Sequence, residues 1–283
     1  MRVLIHLDGS VADPDTPQVR VDDLGLLRGD GVFETVLVSG GHARELDKHL
    51  DRLERSAGML DMDTPDRQAW QRAVAAAIER WPEGSEMALK LVYTRGLDSD
   101  PGADPTAFAL GIEVSEGLLR ARAEGIAVVT LERGIDTELA ERAPWLLLGA
   151  KSLSYGINMA AMREAERRGA EDVIFTAGDG TVLEGPIANV VVADAGTLYT
   201  PPPSIGILPG TTQAGLFRAA ERAGWSTKIE PLRLEDLRDA DGVFLTSSIR
   251  KVTRIHTLDG EQLPDSRALH AELAAAYESE YPG

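Results

Sequence analysis

Lys151 closes the apolar run Trp145-Leu146-Leu147-Leu148-Gly149-Ala150, and 33 positions on comes Glu184 in Leu183-Glu184-Gly185-Pro186. A lysine at the mouth of an apolar segment loses part of its hydration. That disfavours the charged form and frees the amine for imine formation and proton transfer. A carboxylate in reach of the same ring would hold a pyridinium proton in place and keep the ring a strong electron sink. Together the two side chains point to pyridoxal phosphate (PLP) chemistry. Each also has a plainer account: a lone lysine at a strand end is usually solvated, and Glu184 suits a turn.

A cofactor phosphate needs a cation and several N–H and O–H donors. Arg52, in His49-Leu50-Asp51-Arg52-Leu53, offers a bidentate guanidinium. Thr211 and Thr212 follow Pro209-Gly210 at a helix start and offer amides and hydroxyls. Ser248, just past an apolar strand, offers another hydroxyl. Taken singly, Arg52 also reads as a solvated helix residue, and each Ser or Thr as a cap. Arg95, in Tyr93-Thr94-Arg95-Gly96, is a candidate for a substrate carboxylate, with a solvated loop arginine as the alternative. Arg28-Gly29-Asp30-Gly31-Val32-Phe33-Glu34-Thr35 joins a glycine turn to a strand whose alternate residues would face a substrate. It is not a dinucleotide fingerprint, because no βαβ unit follows it.

The elements that must position these residues read as an α/β chain with mixed sheets. Residues 1–115 form an N-terminal lobe, with strands at 32–38, 87–93 and 107–114 and helices at 43–60 and 67–80. Gly96 to Pro105 is a Gly/Asp/Pro-rich loop, long enough for a lid or an inter-subunit arm. Residues 116–135 read as a connector containing a strand at 126–131. Residues 136–283 form a C-terminal, cofactor-binding lobe: an apolar, strand-like run into Lys151, a helix at 158–168, strands at 172–176, 190–193 and 242–246, a helix running to Ala223, and a final helix at 266–277.

The composition narrows the partners. A net charge of −17 repels nucleic acid and anionic membrane, leaving a small molecule as the expected partner. The absence of cysteine excludes disulfides and thiolate metal sites, and the five scattered histidines form no metal-binding pair, so no metal is expected. The N-terminus reads as a strand and a turn, with no cleavable leader, and no stretch approaches 18 apolar residues. A cytoplasmic location is the expectation.

In order along the chain, Gly29-Asp-Gly-Val-Phe-Glu-Thr, His49-Leu-Asp-Arg-Leu, Thr94-Arg-Gly, Lys151-Ser-Leu, Glu184-Gly with Asn189, and Leu208-Pro-Gly-Thr-Thr resemble the class IV aminotransferase family, the fold-type IV PLP enzymes. The resemblance implies a two-lobed fold like that of D-amino acid aminotransferase, with the cofactor between the lobes, and a homodimer. It makes Lys151 the Schiff-base lysine and proton shuttle and Glu184 the partner of the pyridine nitrogen. Arg52, Thr211, Thr212 and Ser248 would hold the phosphate, with Asn189 on the cofactor side. Phe33, Arg95 and Arg28 would line the substrate side. Leu153-Ser154 stands where the family often has Leu-Asn, and Arg28 where branched-chain enzymes usually have Tyr. The expected reaction is lyase action on 4-amino-4-deoxychorismate, an anionic amine whose two carboxylates suit extra cations. Transamination of D-amino or branched-chain amino acids is the alternative.

Overall fold

The computed structural model describes residues 1–100 and 102–281. Two units emerge: Met1–Val114 together with Ala150–Tyr155, and Ser115–Gly149 together with the chain from Gly156 on. Residues 116–135, expected as a connector, therefore belong to the second unit, and the short segment around Lys151 belongs to the first.

The first unit contains β1 (Arg2–His6), β2 (Val11–Ala12), α1 (Leu24–Arg28), β3 (Gly31–Ser39), β4 (His42–Ala43), α2 (Leu46–Met59), α3 (Arg67–Glu79), β5 (Met87–Thr94) and β6 (Ala107–Glu113). The strands pair antiparallel in the order β2-β1-β6-β5-β3-β4. Helix α2 packs on β3, and α3 on β1 and β6. The apolar positions Leu50, Leu53 and Ala57 of α2, and Trp70, Ala73, Val74 and Ala77 of α3, are buried at helical spacing. The helix expected from residue 43 begins at Leu46 instead. Gly40 and Gly41 both take positive φ, which lets His42 and Ala43 continue the pairing with β3, and left-handed Glu45 then turns the chain into α2. Of the loop from Gly96 to Pro105, Pro101 lies outside the described residues. The loop's start is tied down, since Leu24 N–H donates to the Gly96 carbonyl and Asp98 N–H to that of Asp22.

The second unit contains α4 (Glu116–Glu124), β7 (Ile126–Glu132), α5 (Leu139–Arg142), α6 (Gly156–Arg167), β8 (Asp172–Thr176), β9 (Asn189–Asp194), β10 (Thr197–Thr200), α7 (Thr211–Arg222), β11 (Ser226–Ile229), α8 (Leu234–Asp239), β12 (Gly242–Ser247), β13 (Lys251–Leu258), β14 (Glu261–Gln262) and α9 (Arg267–Glu278). Its sheet runs β11-β10-β9-β12-β13-β7-β8, with β14 on β13. The β10/β11, β13/β7 and β7/β8 pairs are parallel and the others antiparallel, so the sheet is mixed as expected. Strand β9 is covered on both faces. Val190 and Val192 pack with Val243, Leu245 and α8's Leu237, while Val191 and Ala193 pack with Leu216, Phe217 and Leu273 from α7 and α9. That is why its sequence is continuously apolar rather than alternating.

The apolar run ahead of Lys151 is not a strand. Pro144–Leu146 form one 3₁₀ turn, Leu147 is left-handed, and Trp145 is 74% exposed. Pro144 removes a ladder donor and fixes φ, which favours a turn over an extended run. Among the described residues, no helix is long and apolar enough to cross a membrane, and no cluster of three or more His, Asp or Glu could hold a metal ion.

Candidate active site

In the first unit the site is built on α2. His49, Arg52 and Ser56 lie on the helix face that also buries Leu50, Leu53 and Ala57. Polar residues on that face require partners, and β3 supplies one. Glu34, fully buried, accepts from Arg52 Nε at 2.6 Å and Arg52 Nη2 at 2.8 Å, and its Oε2 lies 2.7 Å from His49 Nδ1. Burial alone would raise the Glu34 carboxyl, but Arg52 and then His49 outweigh it and hold it far below the ordinary carboxylate range. Burial pushes the His49 imidazole down, against the pull of Glu34. An ionised carboxylate only accepts, so His49 Nδ1 carries the hydrogen of this bond. Arg52 thus presents a guanidinium whose orientation is set by a carboxylate from the neighbouring strand.

Strand β4 covers only the far end of β3, and Lys151–Leu153 occupy the edge it leaves. Phe33 N–H donates to the Lys151 carbonyl at 3.0 Å and Leu153 N–H to the Gly31 carbonyl at 2.8 Å, around the antiparallel bridge Val32–Ser152. This register puts Lys151 directly across from Phe33. The Nζ accordingly lies 4.6 Å from the Phe33 ring centroid, and Tyr155 meets the same ring edge-on at 5.3 Å. The apolar neighbour of Lys151 is therefore Phe33, not the tryptophan-containing run that precedes it in sequence.

The other two expected substrate residues lie in the same unit. Arg28 ends α1, exposed, with no hydrogen bond or ion pair among the described residues. Helix α1 is anchored by buried Asp23, which accepts from Gly25 N–H, Thr94 Oγ1 and Thr106 Oγ1. Arg95 is engaged otherwise than expected. Its Nε and Nη2 grip Asp30 at 2.7 and 3.1 Å, Nη1 reaches the Asp61 carbonyl at 3.2 Å, and Nη2 also donates to Leu60 O. These bonds tie the end of β5 to the end of α2 and leave no pair of N–H groups for a carboxylate. Arg95→Ala should therefore cost about 1–2 kcal/mol of stability, a partly exposed bidentate pair with added backbone bonds. Urea unfolding reads that loss, while KM for the substrate should change less than about twofold.

In the second unit, Glu184 and Asn189 grip one residue. Leu208 N–H donates to Glu184 Oε2 at 3.1 Å, and Asn189 Nδ2 donates to the Leu208 carbonyl at 2.7 Å. Asn189 Oδ1 packs so closely on Gly210 that a Cβ there would collide with it, so the position demands glycine. Gly210 is the N-cap of α7, without a side-chain cap, and the first turn of α7, starting Thr211-Thr212, carries no acidic residue. Thr212 is buried. A helix start with no acidic residue in its first turn keeps the positive end of its dipole uncompensated by a first-turn carboxylate. Ser248 lies on the turn between β12 and β13. Arg122 fixes that turn through the Ile249 carbonyl, and the buried Arg250–Asp172 pair holds its far side.

The first unit thus holds an amine on a fixed strand edge, and the second a half-buried carboxylate and a glycine-capped helix start that begins Thr211-Thr212. The model of the family Amino-transferase class IV matches residues 31–258. The chain belongs to this family. Among its class IV relatives is the bifunctional aminodeoxychorismate lyase / D-amino acid transaminase of Mycobacterium tuberculosis, 44% identical over 93% of each chain. A D-alanine aminotransferase of Bacillus licheniformis is 27% identical over 93% of this chain and 90% of its own. Among solved structures, the PLP-bound form of a hypothetical aminotransferase from M. tuberculosis superposes with a TM-score of 0.94 at 43% identity, covering 99% of this chain and 100% of that one.

Glu34, His49 and Ser56 carry no expected role in the sequence reading. The available signal was their spacing: polar residues at 49, 52 and 56 fall on the apolar face of an amphipathic helix.

Proposed function

We propose that the chain is a PLP-dependent 4-amino-4-deoxychorismate lyase that releases 4-aminobenzoate and pyruvate. The observation that carries the reading is the 44% identity, over 93% of both chains, to a relative named for that activity, in a chain that has Lys151 and Glu184 within the family's motifs. When bound, the cofactor supplies an aldehyde for imine exchange and a ring that withdraws electrons. Lys151 provides the exchanging amine and moves the proton. Glu184 holds a proton on the ring nitrogen. Arg52 supplies a cation for the phosphate, with Thr211, Thr212 and Ser248 supplying N–H and O–H donors, and Asn189 fixes the loop that leads to them. Phe33 borders the lysine amine, and Arg28 offers a substrate carboxylate an unpaired cation. Loss of the proton from the amine-bearing ring carbon, with departure of the enolpyruvyl group as pyruvate, yields an aromatic product and consumes no second reactant. A cytoplasmic homodimer completes the reading.

D-Amino acid transamination is the second reading, favoured by the other half of that relative's name. The test is purified protein loaded with PLP and given 4-amino-4-deoxychorismate without any keto acid. Many turnovers of 4-aminobenzoate are expected, since a transaminase stalls after one half-reaction. No product, with D-alanine turning over only after 2-oxoglutarate is added, would overturn the lyase reading.

A further inference from the structure

The strand pairing at Lys151 stops in an unusual way. A continued ladder would give the Lys151 N–H to the Phe33 carbonyl. Instead it donates to Ser56 Oγ at 3.1 Å. Ser56 is fully buried and follows Arg52 by four residues on the same face of α2, a rise of about 6 Å. We infer that Ser56 is a positioning residue for Lys151. Its hydroxyl fixes the lysine main chain to the helix that carries Arg52, so one rigid element gauges the separation of amine and guanidinium. A ladder bond to Phe33 would satisfy the same N–H but would leave Lys151 following β3 alone. The side chain is held at its other end by the Phe33 ring, 4.6 Å from Nζ. The main-chain anchor and the ring together limit where the amine can swing. This inference rests on the roles proposed above for Lys151 and Arg52.

The test compares Ser56→Ala with Ser56→Thr, which restores a hydroxyl. In the cofactor-free protein, amide hydrogen exchange at Lys151 should quicken by about tenfold or more in Ser56→Ala and return toward the parent rate in Ser56→Thr. In the PLP-loaded protein, kcat should fall by about tenfold or more with substrate KM within about twofold. The pH midpoint of the visible absorption should move as well, because the amine is no longer held in one place. A hydroxyl that merely fills a buried space would leave kcat and that midpoint unchanged, and that result overturns the inference, as does unchanged exchange at Lys151. Should Ser56→Ala fail to fold, Ser56→Cys keeps the volume with only a weak acceptor and carries the same expectations. Lys151→Ala separates the two levels. If it keeps the visible absorption and turnover, the reading of the lysine itself fails. If it loses both while Ser56→Ala behaves like the parent, only the positioning role fails.

Discussion

Glu34→Gln is expected to cost about 3–5 kcal/mol of folding stability, because it leaves the buried Arg52 guanidinium without its counter-charge while changing the volume little. Urea unfolding measures the loss. The companion Glu34→Leu/Arg52→Met protein should recover much of it, since replacing both members of a buried ion pair by apolar residues removes the desolvation cost of each. It should nevertheless bind PLP far more weakly than the parent. That contrast would show that the pair serves to aim Arg52 rather than to stabilise the fold. The same cluster sets a pH dependence. Glu34 titrates lower in the fold than in the unfolded chain, so its contribution is fully present above the ordinary carboxylate range and is lost only as pH falls well below it. His49 acts earlier. Its proton affinity is also lowered in the fold, so below the ordinary imidazole value of 6.5 the unfolded chain binds a proton that the folded chain refuses. Stability should therefore begin to fall as pH drops through that value, and His49→Gln should remove this first part of the slope.

The parts of the site that were legible in the sequence are those whose chemistry is local. The flanking motifs single out Lys151 and Glu184 in the sequence, and the fold sets Lys151 beside the Phe33 ring and Glu184 against the Leu208 N–H. The glycine-led start of α7 was recognised because Pro209-Gly210-Thr211-Thr212 is a helix-entry pattern whatever surrounds it. What failed depended on tertiary pairing. Arg95 looked like a carboxylate binder because its loop setting is shared by solvated and functional arginines, and only the fold brings Asp30 and the end of α2 against it. The apolar neighbour of Lys151 is not the run that precedes it in sequence, since the ring beside the amine comes from β3 and the preceding tryptophan faces solvent. Strand β13 was missed because its pairing with β7 shifts register between Ile255 and Thr257, which breaks the alternation a strand reading needs. Glu34 is hidden from the sequence for a different reason. A charged residue in a strand reads as the solvent face until Arg52 and His49 are seen to cover it.

Lys151→Ala should abolish turnover while leaving the fold almost intact. The native structure loses the cation–π contact with Phe33, of about 0.5–1 kcal/mol, but keeps the backbone bonds that hold the segment, because these run through main-chain groups and Ser56. Unfolding midpoints should accordingly move little. Activity should respond very differently. A positioned proton-transfer group contributes about 10²–10⁴-fold by itself, and in the proposed reaction the same amine would also form and release the covalent link to the cofactor. A drop in kcat of about 10⁴-fold or more is expected, together with loss of the visible absorption of the PLP-loaded protein. On the phosphate-binding roles proposed for Arg52 and for Thr211 and Thr212, added PLP should still bind, and equilibrium dialysis would detect it. A small primary amine such as methylamine, supplied in solution, should restore part of the turnover. It replaces the proton-transfer group but not its tether. Rescue by an amine, and its absence with an equally sized alcohol, would separate loss of the chemistry at Nζ from collapse of the pocket around it.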